Sequence, residues 1–137
     1  MSTRWDARVG EEFSSIVVED LSRTQIVQYA GASGDFVPLH TDEIYATRVG
    51  GFPTVFAHGM LTMALTGRVV TDNFDIASVR TFGGRFLGKV WPGDTLLARA
   101  MVLEVASTSD AQLLQLVLST RNQHGAEVFR GTASVAV

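Results

Sequence analysis

The stretch that decides the fold runs from His58 to Thr71, HGMLTMALTGRVVT, and is apolar on nearly every side. A helix on a protein surface shows one apolar stripe, whereas a helix that is apolar all round is buried on more than one face. We therefore predict a central buried helix here. The rest of the chain must supply the layer that covers it.

Four long β-prone runs follow this helix, at 79–90, 95–105, 113–120 and 128–137, with turn residues between them. Before it, 13–18 is a short β-prone run and 21–32 is an amphipathic helix opened by Ser22 or Thr24. Consecutive strands joined by turns predict an antiparallel meander. The periodicity alone therefore predicts an α+β domain with helices on one face of an antiparallel sheet.

Composition narrows the class of protein. A length of 137 residues predicts a single domain, 1–137. A hydrophobic content of 46% predicts extra apolar surface buried between subunits. A net charge of −3 with scattered basic residues argues against nucleic-acid binding. Without cysteine there is neither a disulfide framework nor a thiolate nucleophile. No segment has the apolar length of a membrane span or a signal peptide, so we expect a cytoplasmic protein without membrane insertion.

The segment 29–40, YAGASGDFVPLH, carries the candidate chemistry. Asp35 and His40 lie five residues apart around Pro38, which fixes its own φ and biases Val37 toward extended geometry. We predict that Thr41 caps a short helix after His40. As isolated positions, an Asp after Gly and a His before a helix are also ordinary turn and capping residues. The spacing alone therefore leaves an acid/base pair and a plain turn as alternatives.

The full segment resembles the hydratase motif of the MaoC-like family, the (R)-specific enoyl-CoA hydratases and 3-hydroxyacyl-thioester dehydratases of hotdog fold. The matching positions are Tyr29, Ala30, Ser33, Gly34, Asp35, Pro38, Leu39 and His40, together with AHGM at 57–60 and PGD at 92–94. The resemblance implies one hotdog fold, a curved antiparallel β-sheet wrapped around a central apolar helix. One position departs, because the family's Asn is Val37 here, and a valine side chain neither donates nor accepts a hydrogen bond. Either Ser33 or the backbone orients Asp35 in its place, or the site is weakened or specialised.

The resemblance also implies the activity of a hydro-lyase, the reversible hydration of trans-2-enoyl thioesters to (R)-3-hydroxyacyl thioesters. Asp35 and His40 would hold the water, and the Gly59 N–H would stabilise the thioester oxygen. No cofactor is implied beyond the coenzyme A or acyl carrier protein that carries the substrate. The three histidines lie far apart without ligand spacing, so we expect no metal site. His58 is expected to be a packed or hydrogen-bonded residue rather than a catalytic one.

Substrate binding is predicted for a further set of positions, namely Ser33, Val37, Tyr45, Phe56, Gly67 and Val70. Other candidates are Phe52 and Leu65 for the acyl tunnel, and Arg48, Arg85, Lys89 and Arg121 for phosphate groups. A single curved sheet has open edges, which proteins pair or cover. The resemblance implies that the edge is paired in a homodimer, with a heterodimer containing a second hotdog chain left open. Two other functions also stay open, an acyl-CoA thioesterase on the same fold and a low-activity or non-catalytic subunit of a heteromeric dehydratase.

Overall fold

The computed structural model describes residues 6–137, so residues 1–5 of the predicted domain and of the N-terminal segment lie outside the described residues. The elements are β1 (Glu12–Val18), α1 (Arg23–Ser33), α2 (Gly59–Thr71), β2 (Val79–Phe86), β3 (Leu96–Ser107), β4 (Gln112–Arg121) and β5 (Glu127–Ala136). Two 3-10 turns, at Pro38–His40 and Ile76–Ser78, and a π-helical turn at Tyr45–Val49 complete the secondary structure.

The five strands form one antiparallel sheet in the order β1-β3-β4-β5-β2. Strands β3, β4 and β5 form the expected meander, but the prediction that β2 joins it next to β3 is wrong, because β2 pairs with β5. The connection after β2 is not a hairpin. Its Val90 carbonyl accepts a hydrogen bond from the Ala57 N–H, and its Gly93 N–H donates to the Leu21 carbonyl. These bonds hold the connection against other loops, so β2 ends at Phe86 and the chain crosses the sheet before β3.

Helix α2 lies against the inner face of the sheet and contacts all five strands. Its buried side chains form one broad face, namely Leu61, Thr62, Leu65, Thr66, Val69 and Val70. Met60 and Ala64 on the other side are exposed, so the helix buries one face within the chain and not several as its apolar sequence predicts. The inward row of β4 is equally buried, with Leu114, Leu116 and Leu118 at most 1% exposed. Each such leucine contributes about 1.5–3 kcal/mol by burial. The prediction of an antiparallel sheet around a central apolar helix is confirmed.

Helix α1 delivers the chain to the candidate motif. The Ser22 side chain accepts a hydrogen bond from the Gln25 N–H at 3.0 Å, which confirms the predicted cap. The helix ends at Gly34, whose φ of 76° is left-handed and favours glycine. The expectation that Thr41 caps the next helix is wrong. Its N–H donates to the Pro38 carbonyl and closes the 3-10 turn, and Asp42 Oδ1 instead accepts from the Tyr45 N–H at 3.1 Å.

The two edges of the sheet are β1 and β2. Close to the β2 edge the side chains of Phe86 and Leu87 are 49% and 47% exposed. Among residues 6–137, the helices are too short or too polar to cross a membrane.

Candidate active site

Three side chains meet where the loop after α1 reaches the start of α2. One carboxylate oxygen of Asp35 and one ring nitrogen each of His40 and His58 lie within 4.8 Å of one another. Asp35 is exposed, His40 is partly buried and His58 is buried. The structure therefore brings the predicted pair together and adds His58, which sequence reasoning placed outside the chemistry.

His40 is oriented by the backbone of Phe56. Its Nδ1 lies 2.7 Å from the Phe56 carbonyl oxygen. Because a carbonyl only accepts, Nδ1 carries a hydrogen, and in the neutral ring Nε2 then offers a lone pair. The Phe56 ring packs edge-on against the imidazole, with ring centroids 5.1 Å apart. Within residues 6–137 no hydrogen bond uses His40 Nε2, so this nitrogen is available to a water or a substrate.

Asp35 is held by its own main chain and by two side chains. Its N–H donates to Ser33 Oγ at 3.2 Å, and its carbonyl accepts from His58 Nε2 at 3.0 Å. Its Oδ1 accepts from the Val37 N–H at 3.3 Å, which leaves Oδ2 unused in the described part of the chain. Val37 contributes only its backbone, and its side chain is 46% exposed. Ser33, His58 and the backbone N–H of Val37 thus hold the Asp35 loop, in which the Asn that is usual in the motif is replaced by Val37.

Gly59 is the first residue of α2, after the N-cap residue His58. The first N–H groups of a helix lack partners inside the helix, and no hydrogen bond among residues 6–137 uses the Gly59 N–H. A Cβ at this position would lie 3.1 Å from the Phe86 ring, so glycine keeps the space open. The groove here has a volume of 320 Å³ and is lined by Phe56, Ala57, Gly59, Thr62, Phe86, Leu87, Gly88, Lys89 and Val90.

A cation stands at the rim of this groove. Lys89 Nζ lies 5.1 Å from the ring centroid of Phe52 and 5.6 Å from that of Phe56, within cation–π range. Phe56 therefore contacts both His40 and the lysine that lines the groove. Among the other predicted phosphate contacts, Arg121 lies 3.6 Å from Glu127 in an ion pair.

The remaining predicted substrate positions do not all converge on this groove. Gly67 and Val70 line a second, apolar groove of 210 Å³, together with Ala64, Arg68, Thr71, Ile76, Val79 and Phe82. Gly67 is eight residues beyond Gly59, about 12 Å along the helix. Tyr45 lines neither groove, and Leu65 is 6% exposed in the core. The assignment of these positions to substrate binding stays a prediction.

The three converging groups are poorly arranged for a metal ion. The rings of His40 and His58 are stacked, with centroids 3.9 Å apart and an angle of 24° between their planes. Imidazole lone pairs lie in the ring plane, so two nearly parallel rings cannot both direct them at one ion about 2.0–2.1 Å away. The arrangement fits a water or a substrate better than a metal.

The carboxylate of Glu43, outside the motif, links helix α1 to the segment that precedes Phe56. Glu43 Oε2 accepts hydrogen bonds from Arg23 at 2.7 Å and Thr54 at 2.8 Å, and from the Val55 N–H at 3.3 Å. The bond from Arg23, followed by that from Thr54, holds the pKa of the Glu43 carboxyl below its ordinary value of 4.5. The contact joins α1 to the segment that leads into Phe56. Sequence reasoning missed it because an ion pair between residues this far apart has no local pattern.

Comparisons with known proteins agree with this geometry. The family model described as MaoC-like domain matches residues 5–121. The chain is 38% identical over 68 residues to the peroxisomal enoyl-CoA hydratase 2 of Arabidopsis thaliana, which covers 47% of this chain and 22% of that protein. It is 33% identical over 114 residues to the fatty acid synthase beta subunit aflB of Emericella nidulans, which covers 80% of this chain and 5% of that protein.

Among solved structures, the R-hydratase PhaJ1 of Pseudomonas aeruginosa aligns with a TM-score of 0.79 at 27% identity, over 95% of this chain and 81% of that one. The likeness confirms the expected hotdog fold. The chain spans less than a quarter of the length of either curated relative. A family model that covers residues 5–121, including the loop of Asp35 and His40 and the start of α2, shows that the chain belongs to the MaoC-like domain family.

Proposed function

We propose that this chain is a hydro-lyase that catalyses the reversible hydration of trans-2-enoyl thioesters to (R)-3-hydroxyacyl thioesters. The observation that carries the proposal is the convergence of the Asp35 carboxylate and the His40 imidazole, with the unused N–H of Gly59 at the adjoining helix start. The relatives named enoyl-CoA hydratase 2 and R-hydratase support the same reaction.

In the hydration direction one water lies between Asp35 Oδ2 and His40 Nε2, the two atoms left free by the loop. The water oxygen forms a bond to C3 as the C2–C3 double bond opens. The π electron pair of that double bond moves through C2 onto the thioester oxygen. The water gives one proton to the pair, and C2 then takes a proton from the same pair. Because two coupled groups that share a proton titrate as a unit, the pair is the acid/base catalyst rather than either residue alone.

The negative charge that develops on the thioester oxygen needs a donor. The Gly59 N–H supplies it, because it is free and stands at the positive end of a thirteen-residue helix. The thioester would lie in the groove between Phe56 and Phe86. An acyl chain that continues along α2 would reach the apolar groove at Gly67 and Val70.

The same groove suggests how the carrier is recognised. Lys89 at its rim offers a positive charge to the phosphate groups that coenzyme A and phosphopantetheine share. Of the two curated relatives, one is named for an enoyl-CoA and the other is a fatty acid synthase subunit. Both carriers therefore belong in the substrate set to be tested.

For assembly, we propose a homodimer that works in the cytoplasm. Unpaired sheet edges are normally paired or covered, and the β2 edge has two large exposed apolar side chains beside it, Phe86 and Leu87. Light scattering on the purified protein should give twice the chain mass of 14.8 kDa. A monomer that gains activity only with a second hotdog chain would favour the heterodimer instead.

The reaction is tested by mixing the purified protein with crotonyl-CoA and with a longer trans-2-enoyl-CoA, while the enoyl-thioester absorbance and free thiol are followed together. The expected result is loss of the enoyl absorbance without thiol release. Thiol release would indicate the thioesterase. Tight acyl-CoA binding without turnover would indicate a non-catalytic subunit.

A further inference from the structure

The buried histidine beside the catalytic pair is in an unusual position for a residue chosen for packing. His58 is 2% exposed and lies between two rings, stacked on His40 at 3.9 Å and edge-on to Tyr29 at 4.9 Å. Its Nε2 lies 3.0 Å from the Asp35 carbonyl oxygen, so that nitrogen must carry the hydrogen. Its Nδ1 is buried and has no hydrogen-bond partner among the described residues.

An unpaired buried nitrogen is unfavourable, and a phenylalanine or leucine of similar size would avoid it. Packing between Tyr29 and His40 therefore does not by itself explain a histidine here. An apolar side chain could not, however, donate a hydrogen bond to the Asp35 carbonyl. That bond joins the loop to the start of α2 across 23 positions of sequence.

The backbone of His58 acts on the other component of the site. It is the N-cap residue of α2, and its carbonyl accepts hydrogen bonds from the Leu61 and Thr62 N–H groups. These bonds fix the peptide that carries the Gly59 N–H. One residue thus holds the donor for the thioester oxygen through its main chain and the Asp35 loop through its side chain.

We propose that His58 is a positioning residue, which fixes the Asp35 carboxylate relative to the Gly59 N–H and supports one face of His40. It stabilises a loop in which position 37 offers no polar side chain. The role depends on the proposed hydratase function, since it concerns the geometry of that site. A misplacement of about 1 Å can lower turnover about a hundredfold, so the contact matters more for kcat than for substrate binding.

The test compares His58→Leu, which removes the donor, with His58→Gln, whose side-chain amide keeps one. Val69→Ala is the matched control, because it opens a cavity in the same helix at a residue that is 0% exposed and far from the loop in sequence. With crotonyl-CoA we expect His58→Leu to lower kcat about tenfold or more, with KM within about threefold. His58→Gln should recover a large part of that loss, and Val69→Ala should lose stability but keep its kcat.

A second measurement requires neither turnover nor a variant that folds. The 15N chemical shifts of the His58 ring in the unmodified protein should show the hydrogen on Nε2. A hydrogen on Nδ1, or a folded His58→Leu protein with unchanged kcat, would overturn the proposal. If the unmodified protein does not hydrate enoyl thioesters, the proposed function fails, and the ring shifts alone then decide whether His58 holds the loop.

Discussion

Replacing Asp35 by asparagine separates the chemistry of this residue from its structural contacts. The side chain is exposed, and its only hydrogen bond within residues 6–137 is accepted by Oδ1 from the Val37 N–H at 3.3 Å. An asparagine oxygen can accept the same bond. The contacts of the residue with Ser33 and His58 use its main chain and are unaffected. What the substitution removes is the negative charge and the ability to take a proton.

The expected effects follow from this difference. An exposed substitution that keeps its hydrogen bonds changes the free energy of unfolding by no more than about 0.5 kcal/mol. Loss of a positioned general base or acid lowers the rate about a hundredfold or more, which corresponds to an increase of about 2.7 kcal/mol in the activation barrier. Asp35→Asn should therefore give a fully folded protein with kcat reduced at least about a hundredfold and a little-changed KM.

The assay is the loss of enoyl-thioester absorbance with crotonyl-CoA, alongside urea denaturation of each variant. Asp42→Asn is the matched control, because Asp42 is also exposed and its Oδ1 also accepts a backbone N–H, that of Tyr45. Asp42→Asn should keep the kcat of the unmodified protein. An Asp35→Asn protein that turns over at the normal rate would refute the assigned chemistry, and equal losses in both variants would show that loop structure rather than chemistry is responsible.

Three further predictions concern the supports of the site and the core. Val37→Asn should keep or raise kcat, because the valine side chain is 46% exposed and makes no hydrogen bond; a fall would show that the site is built around valine. Glu43→Gln should destabilise the fold at pH 7. Since the pKa of Glu43 is below 4.5 in the folded state, the carboxylate stabilises above that pH, and the difference from the unmodified protein in urea should shrink as the pH falls through the folded pKa. A difference that is the same at pH 7 and below the folded pKa would contradict the role assigned to the Arg23 contact. The Thr66 hydroxyl donates to the Thr62 carbonyl and therefore accepts from the buried Thr120 hydroxyl, 2.6 Å away, so Thr66→Val should lower the free energy of unfolding by about 1–3 kcal/mol. Adding Thr120→Val should restore part of that loss, and full additivity of the two losses would count against the hydrogen bond.

The parts of the fold that follow from local pattern could be predicted from the sequence. Helix α2 packs one broad face against all five strands, and the apolar residues of that face are visible in the segment itself. The apolar residues on its other side, such as Met60, do not report burial within the chain. The strands are long and β-prone, so their existence was evident although their ends were less so. The pairing of β2 with β5 could not be predicted, because a strand's own residues do not specify its neighbour. It depends on long-range bonds of the following connection with Leu21 and Ala57.

The site, too, has parts that follow from local sequence and parts that depend on tertiary contacts. The motif placed Asp35 and His40 together because a short, stiff loop joins them. Thr41 and Asp42 are adjacent capping residues, and the sequence does not say which of the two side chains will be used. In the structure it is Asp42, whose Oδ1 accepts from the Tyr45 N–H. The proximity of His58 to the pair is a tertiary contact across 23 positions, so no spacing in the sequence indicates it.

The most direct test of the central claim is the stereochemistry of hydration in heavy water. Crotonyl-CoA is hydrated by the protein in D₂O, and the configuration at C3 and the position of deuterium at C2 are determined in the product. If one pair, Asp35 and His40, both activates the water that attacks C3 and delivers the proton to C2, a single deuterium is added at C2 to the same face as the hydroxyl, and the proposed reaction gives (R)-3-hydroxybutyryl-CoA. An (S) product, or addition of deuterium to the opposite face, would contradict the account.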